Sequence, residues 1–484
     1  MIDINSLKYS LIDLAVSGKI SSSFSAEDSV DAIIQSLPPV SNKRKKLLDQ
    51  NFEYGKQFEI PGNWKWVRLG EISSYGDTPN KVNASDVSDN TWILDLEDIK
   101  AGGELLLKTR VKEKHFIGEK TSFKSGQVLY SKLRPYLKKI LVADEDGIST
   151  PELIAFDTYG GIIPQYIVYC LLDSFTNRAI DKRSYGIKMP RIDAGFMANL
   201  PIPIPPVSEQ EYIVDRLEGA FSLIDKIDAL QKQYASNQEA LKVKLIDAAI
   251  QGELTEQLPE DGTAEDLRVE AIKYKDELDR QGVLKNRKNK DVRAITEEDC
   301  IFDLPASWAW FRLGEIIEVF GRIGFRGYKK TDLVQKGQGA ITMSPSNISR
   351  RGEISFEDST YISWEKYEES PEIMLEEGDV VLVKTGSTYG KSGIIKKLPE
   401  KATINPQLAI LKYIKCNREY LAYVLQSTMA WTQYQSFVVG AATPTFSQEK
   451  IANMMIPMPP MAEQKRIVDS LDTIMGVIKK QETA

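Results

Sequence analysis

The sequence predicts an α+β fold with two pseudo-twofold-related domains, separated by long antiparallel coiled-coil helices in a circularly permuted repeat. Three observations predict this fold. Two long segments match each other, short strand-like runs bounded by Gly, Pro and Asn fill each copy, and one helical pattern spans about Glu209 to Gln251. The 484 residues leave room for two to four domains of roughly 100–200 residues each.

The composition excludes several classes of protein. With 42% hydrophobic and 27% charged residues, the chain is neither collagen-like nor wholly disordered. Its three cysteines lie far apart and His115 is its single histidine, so we expect neither a disulfide framework nor a bound metal. No apolar run approaches the ~18 residues of a membrane span, and the first residues do not resemble a signal peptide, so we expect a cytoplasmic protein. The net charge of −7 means that any contact with nucleic acid must come from local basic clusters.

The internal repeat is densest near the two ends of each copy. EIPGNWKWVRLGEI at 59–72 matches DLPASWAWFRLGEI at 303–316, 244 positions later. PIPPVSEQEYIVD, within 186–217, matches PMPPMAEQKRIVD, within 440–471, 254 positions later. Loop insertions explain the drift in offset. We expect the first tryptophan of each copy to anchor a hydrophobic core, and each Glu-Gln pair to lie in the first turn of a helix.

A third match reverses the order of the segments. LKYSLIDLAVSGKI at 7–20 matches LKVKLIDAAIQGEL at 241–254, 234 positions later. The start of the chain therefore resembles the end of the first copy and supplies the piece that the second copy lacks. If both copies fold alike, the repeat is circularly permuted, and the two chain ends should lie close together.

These matches divide the chain into seven segments. In chain order they are an N-terminal helix that completes the distal helical region (1–20), a linker (21–58), a first α+β domain (59–205), a central long helix (206–254), a charged linker with a short helix (255–300), a second α+β domain (301–458) and a C-terminal helix (459–484). Proline-rich segments mark the end of each domain because proline continues neither a helix nor a sheet ladder.

The helices are predicted from periodicity and capping residues. Within the domains, one helix is expected near Pro164–Ala179 and its counterpart near Arg418–Phe437. Ser208 should cap the central helix, with Glu211 as its capping-box partner. Apolar residues at spacings of three and four along the central helix favour a coiled-coil seam, for which the N- and C-terminal helices are the antiparallel partners.

Two enzymatic interpretations find little support in the sequence. The loop Gly386–Ser392 follows a predicted strand, but it has three residues between its glycines where a phosphate-binding loop has four. The equivalent loop of the first copy contains no glycine, so we interpret the segment as a turn. The carboxylates Glu97 and Asp98 near Lys100 belong to no nuclease or methyltransferase motif. We therefore predict no catalytic residue and no cofactor in this chain.

Basic residues interleaved with aromatic ones cluster in the same variable part of both copies, such as SKLRPYLKKI at 131–140. Such loops suit phosphate neutralisation and the reading of base edges. A solvated surface is the alternative for any single cluster, and the recurrence in both copies favours DNA. The predicted DNA-facing residues are Lys132, Arg134, Lys138, Lys188, Arg191, Arg322, Arg326, Lys384, Ser387, Tyr389, Lys391 and Thr445.

The paired proline-rich segments and the paired Trp-containing openings resemble the specificity subunit (HsdS) of Type I restriction–modification systems. The resemblance covers nearly the whole chain. It implies that each α+β domain is a target recognition domain that reads one half of an asymmetric, bipartite site in double-stranded DNA. It also implies that the antiparallel helices fix the gap between the two half-sites.

The same resemblance implies partners and places the chemistry outside this chain. Two modification (methyltransferase) subunits and two restriction (translocase and nuclease) subunits would dock on it, and they would hold S-adenosylmethionine, ATP and Mg. A coiled-coil scaffold with two protein-binding end domains is the competing interpretation, which salt-dependent binding to duplex DNA distinguishes. Loss of ATP binding on Lys391→Ala would instead favour an enzyme.

Overall fold

The computed structural model describes residues 2–26, 28–48, 58–83, 86–114, 118–284, 292–322, 327–440 and 442–483. The chain divides into two compact units, Met1–Lys232 and Gln233–Ala484. Each unit combines helices with small sheets, as the α+β prediction requires. No helix within these described ranges is both long enough and apolar enough to cross a membrane.

The first unit holds two mixed or antiparallel sheets and one two-stranded ladder. Its helices are α1 (Ile4–Val16), α2 (Val30–Gln35), α3 (Asn42–Leu47), α4 (Leu69–Ile72), α5 (Pro164–Leu172), α6 (Ser174–Arg183), α7 (Ala194–Ala198) and the first part of α8 (Val207–Ile250). Its strands are β1 (Lys65–Arg68), β2 (Lys81–Val82), β3 (Trp92–Leu94), β4 (Thr109–Arg110), β5 (Lys120–Phe123), β6 (Val128–Ser131), β7 (Ile140–Val142), β8 (Gly147–Ser149), β9 (Leu153–Phe156) and β10 (Pro201–Ile204). The sheet orders are β2-β5-β8-β3-β4, β7-β6-β9 and β1-β10.

The second unit has a related plan, with two four-stranded sheets and one two-stranded ladder. Its further helices are α9 (Ala264–Arg280), α10 (Leu313–Ile316), α11 (Trp364–Glu368), α12 (Arg418–Gln426), α13 (Thr428–Phe437), α14 (Gln448–Ala452) and α15 (Met461–Thr483). Its strands are β11 (Ala309–Arg312), β12 (Glu318–Phe320), β13 (Leu333–Val334), β14 (Gly339–Met343), β15 (Thr360–Ser363), β16 (Val380–Val383), β17 (Ser392–Ile394), β18 (Ala402–Ile404), β19 (Leu408–Lys412) and β20 (Met455–Met458). The sheet orders are β12-β19-β16-β17, β13-β15-β14-β18 and β11-β20.

The repeated motifs form the same core in each unit. Trp64 and Trp308 are 4% and 6% exposed, which confirms that they anchor cores. The strand after each tryptophan pairs with the proline-rich strand, with Trp66 opposite Pro203 and Trp310 opposite Pro457. The proline at that position accepts a hydrogen bond from a buried tyrosine hydroxyl, Tyr166 at 2.8 Å in the first unit and Tyr420 at 2.9 Å in the second.

The Glu-Gln pairs join the first turn of a long helix to the core. Gln210 Oε1 accepts from the backbone N–H of Ile163 at 3.0 Å, and its Nε2 donates to the carbonyl of Pro205 at 2.9 Å. Gln464 repeats both bonds in the second unit, at 2.8 Å each. Both glutamines are fully buried, so their polar groups are satisfied inside the core. This confirms that the pairs are first-turn helix residues.

Helix α1 of the first unit is structurally equivalent to the last part of α8 in the second unit. Asp13 on α1 accepts a hydrogen bond from the backbone N–H of Ser174, and Asp247 on α8 accepts the equivalent bond from Thr428. Within the first unit α1 runs antiparallel to α8, because Lys8 pairs with Asp225 at 2.5 Å and Ile2 contacts Gln231 at 2.7 Å.

The C-terminal helix makes the matching contact within the second unit. Tyr234 on α8 lies 3.4 Å from the side chain of Gln481 near the end of α15. At the opposite end of α15, Glu463 accepts from Thr255 just beyond α8, as Glu209 accepts from Ser21 just beyond α1. These contacts reproduce the 234-residue offset that the sequence showed for the permuted segment.

Three expectations about helices were wrong. Ser208 is not the cap of α8, because the helix begins at Val207 and Asp28 accepts from the backbone N–H of Val207 at 2.7 Å. The helices expected at Pro164–Ala179 and Arg418–Phe437 are each two helices. The breaks fall at Asp173 and Ser427, whose side chains accept from backbone N–H groups of the following helix.

Candidate nucleic-acid interface

Three backbone segments of the first unit meet where the predicted basic residues cluster. The backbone N–H of Lys132, which follows β6, donates to the carbonyl of Glu152 at 3.0 Å. The N–H of Ile192 donates to the carbonyl of Lys132 at 3.1 Å, and that of Arg134 donates to Pro190 at 2.7 Å. We call this meeting of the segments 131–139, 150–153 and 184–192 the first loop junction.

The second unit builds the same junction from the equivalent segments. The backbone N–H of Lys384 donates to the carbonyl of Gln407 at 2.9 Å, and that of Phe446 donates to Lys384 at 3.1 Å. The N–H of Gly386 donates to the carbonyl of Pro444 at 2.9 Å. We call this the second loop junction. The two junctions therefore share one backbone frame that carries different side chains.

A cluster of three charges occupies the first junction. The guanidinium of Arg191 donates to the Glu152 carboxylate from Nη2 at 2.9 Å and from Nε at 3.3 Å. The ammonium of Lys132 lies 3.9 Å from the same carboxylate. The hydrogen bond from Arg191 holds the pKa of Glu152 below its ordinary value, so the cluster consists of two cations and one anion. All three side chains remain partly exposed to solvent.

The remaining cations predicted in the first unit differ in exposure. Arg134 and Lys138 have left-handed backbones, with φ of 49° and 52°, and they enclose the short turn Pro135–Leu137. Arg134 and Lys188 are exposed. The Lys138 ammonium lies 3.9 Å from the centre of the Tyr9 ring on α1, and burial lowers its pKa. Lys138 thus packs against α1, whereas Arg134 and Lys188 are accessible to a ligand.

The second junction carries hydroxyl and amide groups beside its lysine. The hydroxyl oxygens of Thr385 and Thr445 lie 2.7 Å apart, and Gln407 accepts from the side chain of Asn405 at 3.2 Å. Burial lowers the pKa of Lys384, and Ser387 is exposed. Hydroxyl and amide groups can pair with both donors and acceptors on base edges, whereas a guanidinium pairs only with acceptors.

Tyr389 and Lys391 lie in the turn between β16 and β17. The ring of Tyr389 stacks on Trp431, with centres 5.1 Å apart and planes 2° from parallel. The ammonium of Lys391 donates to the carbonyl of Ile348 at 3.1 Å. β16 and β17 are antiparallel neighbours, so the loop Gly386–Ser392 leads into a strand. A phosphate-binding loop leads into a helix, and the structure therefore supports the interpretation of this loop as a turn.

The two remaining predicted residues lie elsewhere. Arg322 is 4% exposed, and its guanidinium donates to the Ile404 carbonyl at 3.2 Å and to the Thr403 hydroxyl at 3.3 Å. Burial lowers its pKa. Its side chain is therefore enclosed in the fold of the second unit, away from solvent. Arg326, like His115, lies outside the described residues.

Sequence reasoning missed Glu152 and Gln407, the pair of equivalent positions that separates the two junctions chemically. They stand 255 positions apart, whereas the neighbouring matched segments stand 252 and 254 apart, so no continuous match marked them. The sequence feature that could have identified this pair is the acidic Glu152 before β9, because its counterpart in the second copy is the neutral Gln407.

The carboxylates considered for catalysis have structural partners. Asp98 accepts from the backbone N–H of Asp95 at 2.8 Å, Glu97 pairs with Lys114 at 2.8 Å, and Lys100 pairs with Glu104 at 2.7 Å. Across the part of the chain that the structure describes, no group of three or more His, Cys, Asp or Glu side chains could hold a metal ion.

Two similar junctions on two equivalent α+β units define a tandem-repeat protein, and comparison with known families agrees. The model of the Type I restriction modification DNA specificity domain matches residues 61–233 and 305–484. The chain therefore belongs to this family, the HsdS specificity subunits.

Known members of the family match along most of the chain. The specificity subunit of the Type I restriction enzyme EcoAI from Escherichia coli is 23% identical, and the match covers 99% of this chain and 90% of that protein. The specificity subunit of MjaVIII from Methanocaldococcus jannaschii is 19% identical over 89% of this chain and 90% of its own length. A chain from a structural study of complex assembly and conformational transition in the type I R-M system has the same fold, with a TM-score of 0.61 and 19% identity over 88% of this chain and 93% of its own.

Proposed function

We propose that this chain is the DNA-binding specificity subunit of a Type I restriction–modification complex and that it recognises an asymmetric, bipartite DNA target. Each α+β domain acts as a target recognition domain for one half-site. The subunit itself catalyses no reaction, because the chemistry belongs to its partners.

The pair of loop junctions carries this proposal. Three backbone hydrogen bonds hold the equivalent loops in the same arrangement in both units. The side chains on that frame differ: the first junction presents Lys132, Glu152 and Arg191, and the second presents Lys384, Gln407 and Thr445. Two domains that recognise different base sequences require different donors and acceptors, which here lie on the same backbone arrangement.

The helices support a spacing role. α8 has 44 residues, which corresponds to about 66 Å at 1.5 Å per residue. We propose that α8 forms an antiparallel coiled coil with α1 and α15, and that this rod places the two domains on major-groove segments separated by whole helical turns of about 34 Å each.

The proposed partners follow from the family. Two modification subunits, which hold S-adenosylmethionine, would methylate one adenine in each half-site. Two restriction subunits, which use ATP and Mg, would cleave unmodified DNA. Exposed apolar residues along α8, including Leu223 and Leu230 at 61% and 64% exposure, offer surface for such partners. We propose that the chain acts in the cytoplasm together with these partners.

Mapping of methylated adenines tests the proposal. The chain would be co-expressed with its modification subunit in a host that lacks other adenine methyltransferases, and the modified positions would be sequenced. We expect two different short sequences separated by a gap of fixed length, and no methylation when the chain is omitted. A continuous palindromic motif, or methylation that does not depend on this chain, would contradict the proposal and favour the scaffold.

A further inference from the structure

The charged cluster of the first loop junction orients one particular donor. Backbone bonds hold Arg191 on both sides, since its N–H donates to the Tyr185 carbonyl at 2.9 Å and its carbonyl accepts from the Tyr185 N–H at 3.0 Å. Arg191 also bridges to Leu133 across the junction. The main chain of Arg191 is therefore fixed, and the position of its guanidinium depends on what its side chain contacts.

Glu152 supplies that contact. Its carboxylate engages the Nε and Nη2 groups of Arg191, which are two neighbouring donors on one edge of the guanidinium. A guanidinium has five N–H donors in a plane, so both N–H groups of Nη1 and one of Nη2 remain. The Nη1–Nη2 edge is the geometry that matches the O6 and N7 acceptors of guanine.

The backbone of Glu152 is itself held in the same junction. Its carbonyl accepts from the N–H of Lys132, and its carboxylate is shared between Lys132 and Arg191. The second junction has the neutral Gln407 at the equivalent position and Thr445 in place of the arginine. The carboxylate–guanidinium pair is therefore a feature of the first unit. Gln407 shows that a neutral glutamine can occupy the position of Glu152, so glutamine is the substitution to test.

We propose that Arg191 contacts a guanine in the first half-site and that Glu152 is the positioning residue that holds its guanidinium for this contact. The proposal rests on the proposed DNA-binding function and assigns one base of the target to one side chain. Glu152 adds specificity at the expense of affinity, because a carboxylate near DNA repels phosphates while it restrains the arginine.

Glu152→Gln tests this proposal in the complex of the full chain with its modification subunit. The target motif of the wild-type complex is mapped first, and each base of both half-sites is then varied in duplex oligonucleotides for binding measurements. We expect Glu152→Gln to reduce discrimination at one G·C pair of one half-site by roughly fivefold or more. We also expect it to raise the affinity for unrelated duplex DNA, because one negative charge is removed.

A matched substitution and a second variant keep the test decisive. Gln407→Glu places the carboxylate in the second unit, and it should weaken binding while leaving every base preference of the first half-site unchanged. Arg191→Lys keeps the charge without the planar donor edge, and it should relax the same base pair, with no additional relaxation when it is combined with Glu152→Gln. Unchanged preference at all positions in both Glu152→Gln and Arg191→Lys would overturn the inference. Absence of a bipartite motif in the wild-type complex would instead overturn the proposed function.

Discussion

Asp13 accepts a hydrogen bond from the backbone N–H of Ser174 at 2.8 Å, across 161 positions of sequence. Asp247 and Thr428 make the equivalent bond at 2.9 Å in the second unit. In one unit the acceptor comes from the first helix of the chain, and in the other it comes from the end of the long central helix. This pair of bonds shows at atomic detail that one structural module has been assembled from differently ordered segments.

Replacement of Asp13 should destabilise the first unit through loss of this bond. In Asp13→Ala the N–H of Ser174 loses its acceptor, and we expect the free energy of unfolding to fall by about 1 kcal/mol. Asp247→Ala should likewise lower the stability of the second unit, because the N–H of Thr428 loses its acceptor. Urea unfolding followed by circular dichroism measures both. An effect of Asp247→Ala with none for Asp13→Ala would contradict the equivalence of the two helices.

Asp173 predicts a dependence of stability on pH. Burial raises the pKa of its carboxyl to about 6, although two backbone N–H groups donate to it. Because the folded pKa lies above the ordinary aspartate value of 3.8, the unfolded chain releases this proton first as pH rises. The contribution of Asp173 to stability should therefore fall between about pH 4 and pH 6, by up to about 3 kcal/mol at ~1.4 kcal/mol per pKa unit.

Ser427 occupies the equivalent position in the second unit and suggests the test of this dependence. In Asp173→Ser a neutral hydroxyl caps α6, as Ser427 caps α13. The stability of the variant relative to wild type should increase from pH 4 to pH 7, as measured by thermal unfolding at each pH. A difference between the two proteins that stays constant with pH would show that Asp173 does not titrate in this range.

Removal of the buried glutamine amides should be costly in both units. Gln210→Ala leaves the Ile163 N–H and the Pro205 carbonyl without their partner inside the core. We expect a loss of about 2–6 kcal/mol in the free energy of unfolding, at ~1–3 kcal/mol for each of the two unsatisfied groups. Gln464→Ala should behave alike, whereas Gln233→Ala, at an exposed position of α8, should change stability by less than ~0.5 kcal/mol. Equal effects of all three substitutions would contradict this role.

The exposed cations of the first junction should contact phosphates. Arg134→Ala and Lys188→Ala should each weaken binding to all duplex sequences by a similar factor. Each should also reduce the slope of log affinity against log salt by about 1. Lys232→Ala is the control, because this exposed lysine on α8 pairs with Asp228 at 2.7 Å. Salt slopes equal to wild type for both junction variants would remove Arg134 and Lys188 from the interface.

The repeat predicted the core of each unit because the same residue types recur at equivalent positions of the two copies. Trp64, the proline-rich strand and Gln210 all lie in segments that the sequence match covers. Each contact that sequence reasoning missed involves a residue outside the matched segments. Glu152 meets Arg191 across 39 positions, and Asp28 replaces Ser208 at the start of α8 across 179 positions. Periodicity and capping patterns describe neighbours along the chain, and they carry no information about such partners.

Burial explains the different positions of the predicted DNA-facing residues. Arg134 and Lys188 are exposed, as a DNA contact requires, whereas the side chain of Arg322 is enclosed by backbone acceptors. A cation in a basic segment with aromatic neighbours has the same sequence pattern in both situations. The contacts of Arg322 with β18 distinguish them, and these contacts depend on the tertiary fold of the second unit.

The central claim is that two equivalent units each read one half of a DNA target, and a symmetrised chain tests it most directly. Residues 301–458 would be replaced by a second copy of 59–205, and methylated adenines would be mapped in cells that also express the modification subunit. We expect the new motif to contain the first half-site twice, as inverted repeats separated by the original gap. Retention of the original asymmetric motif would contradict the claim.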